Sequence, residues 1–390
     1  MRVFVVFGTI FLYGMERGVI EIFDYLRPEV EAVFHTSSHN RDTHNALMQE
    51  LESRKLTCTF LPDERGWPAM RRPRSLREAW AIGRMLVASN WSVLKGSWNC
   101  DVLYLPSNYW ARHSLLAAIA ARLRGKRVIY HFHNLFTEHY GFLDSLRYVV
   151  TDFIHNTRLG YEWTTRSNPK ILNNRHVILP YVVDMRDNIA ADPLALQKFA
   201  GKRNLVFIGQ VSPHKGIDLL VKAFHLIAPK HPDAMLHILG STRPEYDSEF
   251  RQLISGAVGD RIRHWGYRSD ALHLLSKAYV YVHPSPPSRF HESFGLGVVE
   301  AMSLGVPPVC FASGAFSEIV QNGRSGWVCE EESADSLAKA LDILLSQPAL
   351  RDKIASGALV RYKQKYAPTV VVPLWREFMR QLDKGTPSQP

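Results

Sequence analysis

The feature that most constrains the fold is a repeated alternation of short apolar runs with amphipathic helical periods. Val3–Phe7 is an apolar run of strand length, and apolar residues recur at helical spacing from Met15 to Leu26. The alternation starts again at Asn204–Gly209, which is followed by a helical stripe over Ile217–Ala228. Because strand–helix–strand units build parallel sheets, both halves of the chain are predicted to be parallel α/β structures.

The length of 390 residues suggests two domains. Further strands are predicted at Asp101–Leu105, Arg127–Phe132, Met235–Gly240, Arg261–Gly266, Tyr279–Pro284, Pro307–Cys310 and Gly326–Cys329, with a helix at 113–123 between the first two. We expect two facing Rossmann-like domains with ligands at the carboxyl ends of the strands, in an interdomain cleft. The predicted domains are 1–187 and 188–365, with an interdomain linker in 185–203, and 366–385 is predicted to be a helix that crosses back to the first domain.

The net charge of +10 and pI of about 9.4 imply an anionic partner. Five arginines cluster in one segment: Arg71, Arg72, Arg74, Arg77 and Arg84. Arg77 and Arg84 are seven residues apart and share one helical face, and Trp80 and Trp91 lie nearby. The pattern leaves open a solvated basic helix or a patch for an anionic membrane surface or acceptor. Nucleic acid is not predicted, because no nucleic-acid-binding module is recognisable.

Cysteine spacing and hydropathy indicate the compartment. Cys58, Cys100, Cys310 and Cys329 form no C-x-x-C pair, so they are predicted to be free, buried thiols in a reducing environment. The chain has no unbroken apolar stretch of about 18 residues, and its first residues lack a cleavage site for a signal peptide. We expect a cytoplasmic location, either free or peripheral at the inner face of the cell membrane.

The segment HESFGLGVVEAM, residues 291–302, contains two thirds of a dinucleotide-binding fingerprint. Gly295 and Gly297 match the first two glycines, but Glu300 stands where the third is needed for helix packing. The run HPSPPSRFH also separates these glycines from the preceding strand, so the tight turn is missing. A nicotinamide or flavin oxidoreductase is therefore disfavoured.

Two carboxylates in the same segment favour a different ligand. If Ser293–Gly295 opens a helix, its amides form an anion site, and Glu292 lies about 12 Å along the axis from Glu300. Catalytic carboxylates of glycosidases lie about 5–10 Å apart, so these two would not share one scissile bond. They suit the two ends of an extended ligand such as a nucleotide sugar, because carboxylates accept hydrogen bonds from paired hydroxyls.

The stretch SRFHESFGLGVVEAMSLGVPPV resembles the signature of glycosyltransferase family 4, which comprises retaining enzymes of the GT-B fold. The segments FIGQVSPHKGIDLLVKAF, GAFSEIVQNGRSGWVC and, more loosely, YGMERGVIEI and VILPYVVD resemble further motifs of that family. The resemblance implies transfer of a hexose from a nucleotide diphosphate sugar to an acceptor hydroxyl, with retention. It also implies a glycan or lipid-linked acceptor, as in polysaccharide or glycolipid biosynthesis, and a front-side displacement in which the leaving phosphate helps to take the acceptor proton.

The resemblance also assigns residues to roles. It implies that Glu292 and His133 contact the reacting sugar and that Glu300 binds the ribose. It implies that the donor sugar and diphosphate contact Gly14, Gln210, Lys215, Ser293, Phe294, Gly295 and Leu296. Lys215 and a helix N-terminus are physically suited to the charge that grows on a leaving diphosphate. No D-x-D motif occurs, so no metal is expected, and no cofactor beyond the donor itself.

Several positions depart from the family pattern. Gln210 replaces the usual arginine, which removes one phosphate cation, and Arg289 is a candidate replacement. Tyr13, Ser317 and the pair Tyr181–Val182 replace a glycine, a proline and an Asn-Gly pair. Gln210 is also the one feature that supports the alternative function, a catalytically silent protein that binds nucleotide sugars.

His131 and His133 are two residues apart on a predicted strand, so their side chains lie on one face. An H-x-H pair can bind metal, but no third ligand occurs at a persuasive spacing. We therefore expect His131 to be a packed neighbour and His133 to donate a hydrogen bond to the sugar or a phosphate.

Overall fold

The computed structural model describes residues 1–7, 12, 14–43, 45–61, 75–106, 114–135, 138–185, 192–256 and 258–383. Its contacts divide the chain into two compact units. Unit 1 comprises Met1–Val182 and Val371–Pro390, and unit 2 comprises Val183–Val370. No helix among the described residues is both long enough and apolar enough to span a bilayer.

Unit 1 is built on a seven-stranded parallel sheet with the order β3-β2-β1-β4-β5-β6-β7. Its strands are β1 (Arg2–Val6), β2 (Glu31–Thr36), β3 (Thr57–Phe60), β4 (Val102–Pro106), β5 (Arg127–Phe132), β6 (Asp152–His155) and β7 (Arg175–Ile178). Its helices up to this point are α1 (Gly14–Tyr25), α2 (Ser38–Thr43), α3 (Ala46–Ser53), α4 (Leu76–Gly96), α5 (Leu115–Leu123), α6 (Gly141–Leu146) and α7 (Arg158–Ser167). The central strands β1 and β4 are almost wholly buried, as expected for a parallel sheet covered by helices.

Unit 2 is built on a six-stranded parallel sheet with the order β10-β9-β8-β11-β12-β13. Its strands are β8 (Arg203–Ile208), β9 (Ala234–Leu239), β10 (Ile262–Gly266), β11 (Val280–His283), β12 (Pro308–Phe311) and β13 (Trp327–Cys329). Its helices are α8 (Pro193–Phe199), α9 (Ile217–Ile227), α10 (Asp247–Ile254), α11 (Ala271–Leu275), α12 (Leu296–Ser303), α13 (Phe316–Ile319), α14 (Ala334–Ser346) and α15 (Pro348–Lys365). The apolar stripe of α9 packs into this core, which explains its 3.6-residue period.

The strand order fixes where a ligand can bind in each unit. In unit 2 the chain leaves β8 towards β9 and later returns to its other side as β11. In unit 1 the same reversal occurs between β1 and β4. Open parallel sheets bind ligands outside the carboxyl ends of the strands at such a reversal, because the connecting loops diverge there and leave a crevice.

The final helix, α16 (Pro368–Asp383), joins unit 1 from Val371 onward. Trp375 is completely buried, and its indole N–H donates to Pro180 O at 2.8 Å. Arg376 forms an ion pair of 3.0 Å with Glu29. The last helix is therefore an integral part of unit 1 rather than a loose tail.

The prediction of two parallel α/β sheets is confirmed, and the described part of each predicted strand is observed with small shifts of its ends. The sequence analysis set domain boundaries at 187 and 365, whereas contacts divide the chain after Val182 and Val370. The stretch 185–203, predicted to be a linker, contains α8. Strands β2, β3, β6 and β7 were not predicted, because sequences such as DFIH in β6 carry polar residues among the apolar ones.

Candidate active site

The centre of the candidate site is a buried carboxylate at the strand-order reversal of unit 2. Glu292 lies in the loop between β11 and α12, and its Oε1 atom accepts three hydrogen bonds. The donors are Lys215 Nζ at 2.6 Å, Ser285 Oγ at 2.7 Å and, with its ring N–H, His283 Nε2 at 2.9 Å. Within the described part of the chain no donor reaches Oε2, so this oxygen is the one left to contact a ligand.

The two loops that carry Lys215 and Glu292 touch because a glycine lies between them. Lys215 closes a short 3-10 helix after β8, and Gly216 follows in the left-handed region with φ of 68°. A Cβ atom at Gly216 would overlap the carbonyl oxygen of Pro284, which follows β11. Only glycine permits this close approach, so the Lys-Gly sequence is a packing requirement as well as a ligand motif.

Electrostatics keep Glu292 ionised. Burial alone would raise the pKa of Glu292, but the ammonium of Lys215 and the contact with His283 lower it well below its ordinary range. Lys215 is held from a second side, because its Nζ lies 4.1 Å from the centre of the Phe290 ring. The site therefore contains an anion and a cation that are paired and partly buried before any ligand binds.

The two glycines of the G-x-G sequence have structural roles. Gly295 is the N-cap of α12 with φ of 77°, and a Cβ atom there would overlap the Phe316 ring. A Cβ atom at Gly297 would overlap the hydroxyl of Tyr281. These glycines therefore let α12 approach β11 and α13, which accounts for the fingerprint without a nicotinamide cofactor.

One geometric expectation was wrong. Helix α12 begins at Leu296, so Glu292 precedes the helix and the separation of about 12 Å, derived from helical rise, does not apply. Burial raises the pKa of Tyr281, and the charges of Glu300 and Glu292 raise it further, so both carboxylates act on the same buried hydroxyl. Glu300 is itself buried within α12.

The remaining predicted residues of this segment form the start of α12. The first backbone hydrogen bonds of the helix run from Val298 and Val299 to Gly295 O. The amides of Leu296 and Gly297 thus precede the intrahelical ladder and point out of the helix end. Phe294 is buried against Tyr366, so its side chain anchors the loop that precedes the helix.

The cations near Gln210 differ from the expectation. Arg289, the candidate replacement for the missing arginine, donates to Asp218 at 2.7 and 3.1 Å and to Pro213 O at 3.0 Å, so it already secures the loop. Arg243 instead donates from Nε to Gln210 Oε1 at 2.9 Å. A guanidinium therefore does lie beside position 210, but it is supplied by the loop after β9.

His283, Ser285 and Arg243 are site residues that the sequence analysis missed. All three lie at or just beyond the carboxyl ends of strands next to β8 in the sheet. This position was the available signal, since polar residues at strand ends beside an order reversal are where α/β proteins bind ligands.

The histidines of unit 1 form a separate buried cluster at the end of β5. His133 hydrogen-bonds through Nδ1 to the hydroxyl of Tyr181, and its ring centre lies 4.0 Å from that of His131. Burial lowers the pKa of His131 to about 3, and burial together with His131 lowers the pKa of His133 well below its ordinary value. Both rings are therefore neutral at physiological pH. The described residues contain no group of three His, Cys, Asp or Glu arranged to hold a metal ion.

Other predicted residues are placed as follows. Gly14 is the first residue of α1, and Tyr181 packs against Gly18 of that helix. Arg77 and Arg84 lie exposed on α4, whereas Tyr13, Arg71, Arg72 and Arg74 lie outside the described residues. The four cysteines are free; Cys58 is half-buried rather than buried, and burial raises its pKa to about 12.

Two parallel α/β sheets with these strand orders form the GT-B fold, and this fold defines the class of protein. The chain superposes on the crystal structure of Anabaena Alr3699/HepE in complex with UDP and glucose with a TM-score of 0.77. The match covers 98% of this chain and 100% of that one at 18% sequence identity, so it establishes the fold alone.

Residues 190–360 match the family model described as "Glycosyl transferases group 1". The match covers less than half of the chain, so it relates this region to the group 1 glycosyltransferases, and it agrees with the resemblance stated from the motifs. This region contains Lys215, Glu292 and Glu300.

Two curated relatives match parts of the chain. A D-inositol 3-phosphate glycosyltransferase of Arthrobacter sp. (strain FB24) is 34% identical over 41% of this chain and 38% of its own length. The lipopolysaccharide core biosynthesis mannosyltransferase LpcC of Rhizobium leguminosarum bv. viciae is 25% identical over 52% of this chain and 59% of its own length. The matches thus span less than two thirds of each relative's length, 38% and 59%.

Proposed function

We propose that this chain transfers a hexose from a nucleotide diphosphate sugar to an acceptor hydroxyl with retention at the anomeric carbon, without a metal ion. The observation that carries the proposal is the partly buried Lys215–Glu292 pair at the strand-order reversal of unit 2. A cation and a carboxylate fixed at that position suit a ligand with a diphosphate and a sugar.

The sugar end of the donor is assigned to Glu292. Its Oε1 is occupied by Lys215, His283 and Ser285, so the proposal places a sugar hydroxyl on Oε2. The three donors also fix the rotamer of the carboxylate, and such preorganisation avoids an entropic cost when the ligand binds. At the other end Glu300, buried in α12, is assigned to the ribose hydroxyls.

The diphosphate is assigned to three positive features of unit 2. These are the ammonium of Lys215, the guanidinium of Arg243 beside Gln210, and the amides at the start of α12. Charge grows on the leaving phosphate as its bond to the anomeric carbon breaks, and one preorganised donor in such a site is typically worth about 3–4 kcal/mol. Gln210 was the one feature that suggested a catalytically silent protein. Arg243 lies beside it and supplies the cation that position 210 lacks, so Gln210 no longer favours that alternative.

The reaction assigned to this geometry is a front-side displacement. The bond between the anomeric carbon and the phosphate oxygen breaks, and the acceptor oxygen bonds to the same face of that carbon. The acceptor proton passes to the leaving phosphate oxygen, which yields a nucleoside diphosphate. Neutral His133 is assigned a hydrogen bond to the transferred sugar, since its lowered pKa makes it a poor cation.

The acceptor is assigned to the polysaccharide or glycolipid class. Two relatives support this class, a D-inositol 3-phosphate glycosyltransferase and a mannosyltransferase of lipopolysaccharide core biosynthesis. The proposal is therefore a glycan or lipid-linked acceptor.

The test begins with thermal stabilisation of the full chain by a panel of nucleotide sugars, because stabilisation follows free ligand concentration over Kd. The donor that binds is then used to measure sugar release and transfer, with and without a chelator. Glu292→Gln and Lys215→Met are compared with Lys222→Met, an exposed lysine on α9. The anomer of the product is determined by NMR.

We expect both site variants to lower kcat by about 100- to 1,000-fold, the range for loss of one transition-state donor. Lys222→Met should retain wild-type activity. If Glu292→Gln and Lys215→Met transferred sugar as fast as wild type, the assigned site would be wrong. An inverted product or loss of activity with a chelator would overturn the proposed stereochemistry or metal independence, respectively.

A further inference from the structure

Helix α4 of unit 1 exposes an apolar stripe that the sheet does not use. Leu76, Trp80, Val87 and Trp91 are exposed by 91%, 64%, 68% and 67%. With Arg84 they fall within an arc of about 80° around the helix, given 3.6 residues per turn. Met85, Ser89 and Val93, which α4 buries, lie on the opposite side of the helix.

The neighbouring helix α5 continues this surface. Its exposed apolar residues are Leu116, Ile119 and Leu123, which recur at intervals of three and four residues. Like the stripe of α4, they lie on one side of their helix. A helix with buried residues on one face and an apolar stripe on another has a second surface to cover.

Two contacts show that α4 and α5 run side by side in the same direction. Near the start of α5, Ala117 N donates to Asn90 Oδ1 of α4 at 3.0 Å. Beyond the two C-terminal ends, the guanidinium of Arg124 lies 3.6 Å from the centre of the Trp98 ring. Helix α5 therefore lies beside the C-terminal half of α4, which carries Trp91, and the stripe of α4 extends beyond it towards Leu76. We call Leu76, Trp80, Arg84, Val87, Trp91, Leu116, Ile119 and Leu123 the tryptophan stripe surface.

The charge of this region is strongly positive. The two helices carry the basic residues Arg77, Arg84, Lys95 and Arg122 and a single acid, Glu78. Arg84 lies 4.8 Å from the ring centre of Trp80, so a cation stands within the apolar stripe itself. Apolar residues and tryptophan flanked by basic residues are the chemistry of a helix that lies in the interface of an anionic membrane.

We propose that the tryptophan stripe surface binds an anionic lipid bilayer, with Trp80 and Trp91 inserted at the headgroup level. A second copy of the chain is the less favourable occupant, because a symmetric contact would bring the same cations together. The inference deepens the proposed function, because a chain bound to a bilayer can reach a lipid-linked acceptor there. Only this link to the acceptor rests on the proposed function; binding to the bilayer does not.

The test uses the full chain and flotation with vesicles of phosphatidylcholine, alone or with an equal amount of phosphatidylglycerol. Wild type should float with the anionic vesicles, and added salt should weaken binding because surface charges are screened. Trp80→Ser/Trp91→Ser should lower the partition constant at least about tenfold, since two apolar side chains lose their burial. Arg77→Gln/Arg84→Gln should lower it about fivefold per cation, at about 1 kcal/mol for each.

The matched control is Tyr148→Ser. Tyr148 is 74% exposed in the same unit and lies beneath a guanidinium, that of Arg147, as Trp80 lies beneath Arg84. This variant should float like wild type. Circular dichroism and donor-induced thermal stabilisation of each variant should match wild type, which shows that the changes have not unfolded the chain.

The proposal is overturned if wild type does not float with anionic vesicles, or if Trp80→Ser/Trp91→Ser floats as well as wild type. It is also overturned if Tyr148→Ser loses as much binding, or if light scattering shows that the surface joins two copies and leaves vesicles unbound. Donor turnover with a water-soluble acceptor is measured on the same samples. Vesicle binding without turnover would contradict the proposed function alone, and turnover without vesicle binding would contradict the membrane surface alone.

Discussion

The buried ion pair makes a prediction whose size depends on pH. Lys215→Met removes the ammonium that lies 2.6 Å from Glu292 Oε1 and leaves His283 and Ser285 in place. Removing one partner of a buried pair typically costs about 3–5 kcal/mol. Because Lys215 is about one fifth exposed and two other donors remain, we expect the lower end, about 3 kcal/mol of unfolding free energy at neutral pH.

The sign of the pH dependence follows from the pKa of Glu292. Lys215 and His283 hold this pKa below its unfolded value of 4.5, so the pair stabilises the folded chain above that pH. The stabilisation is lost as the pH falls through the lower folded-state pKa. In Lys215→Met burial remains while the main compensating charge is gone, so the pKa of Glu292 rises. The penalty of the substitution should therefore be largest at neutral pH and shrink as the pH falls through the raised folded-state pKa of Glu292 in the variant, because the unfolded-state pKa is the same in both chains.

A double-mutant cycle isolates the pair. Glu292→Gln keeps an acceptor oxygen and leaves a lysine that water can reach, so it should cost only about 1–2 kcal/mol. In the Glu292→Gln background, Lys215→Met should cost under about 1 kcal/mol, which gives a coupling energy of about 2 kcal/mol.

Unfolding by guanidinium is followed by circular dichroism and tryptophan fluorescence at neutral and acidic pH. Two-domain chains can unfold in more than one step, so the analysis uses the transition that the substitution shifts. Lys222→Met is the control and should leave both transitions in place. A penalty for Lys215→Met within about 0.5 kcal/mol of zero at neutral pH, or one equally large in acid, would refute the account of the site.

Three further outcomes are expected. Arg243→Ala should raise the Kd of the donor about tenfold, whereas Arg289→Ala should lower thermal stability and leave that Kd unchanged, as measured by calorimetry; equal effects on Kd would contradict the assignment. Gly297→Ala should cost about 1–3 kcal/mol in thermal unfolding, and Tyr281→Phe in the same chain should recover part of it; a cost without recovery would place the clash elsewhere. Cys310, whose pKa burial raises, should resist iodoacetamide until the chain unfolds, and mass spectrometry showing alkylation of the folded chain would contradict its burial.

The parallel α/β fold was predictable because buried strands read as nearly continuous apolar runs. Val3–Phe7 and Asn204–Gly209 are such runs, and both are central in their sheets. Strand β6, Asp152–His155, lies nearer an edge and was missed, because its carboxylate pairs with Arg175 of the next strand and its histidine stacks on Phe132. Such partners come from other strands, which a linear pattern does not show.

The candidate site was predictable in part. Motifs brought Lys215 and Glu292 into one ligand site, but nothing in their spacing indicated that they would pair with each other before a ligand arrives. That contact depends on β8 and β11 being neighbours, which is a property of strand order. The same reason explains Arg243 and Arg289, because the partner of each cation is set by loops that meet only in the folded sheet.

The placement of α16 has a consequence for the order in which the chain matures during synthesis. Unit 1 is interrupted by the whole of unit 2 and lacks the fully buried Trp375 until its last helix emerges from the ribosome. At about 5–20 residues per second, the intervening segment Val183–Val370 takes roughly 10–40 s to translate. Unit 2 is thus complete while unit 1 still exposes the surface against which its last helix will pack. A chaperone that binds the nascent chain would bind this intermediate.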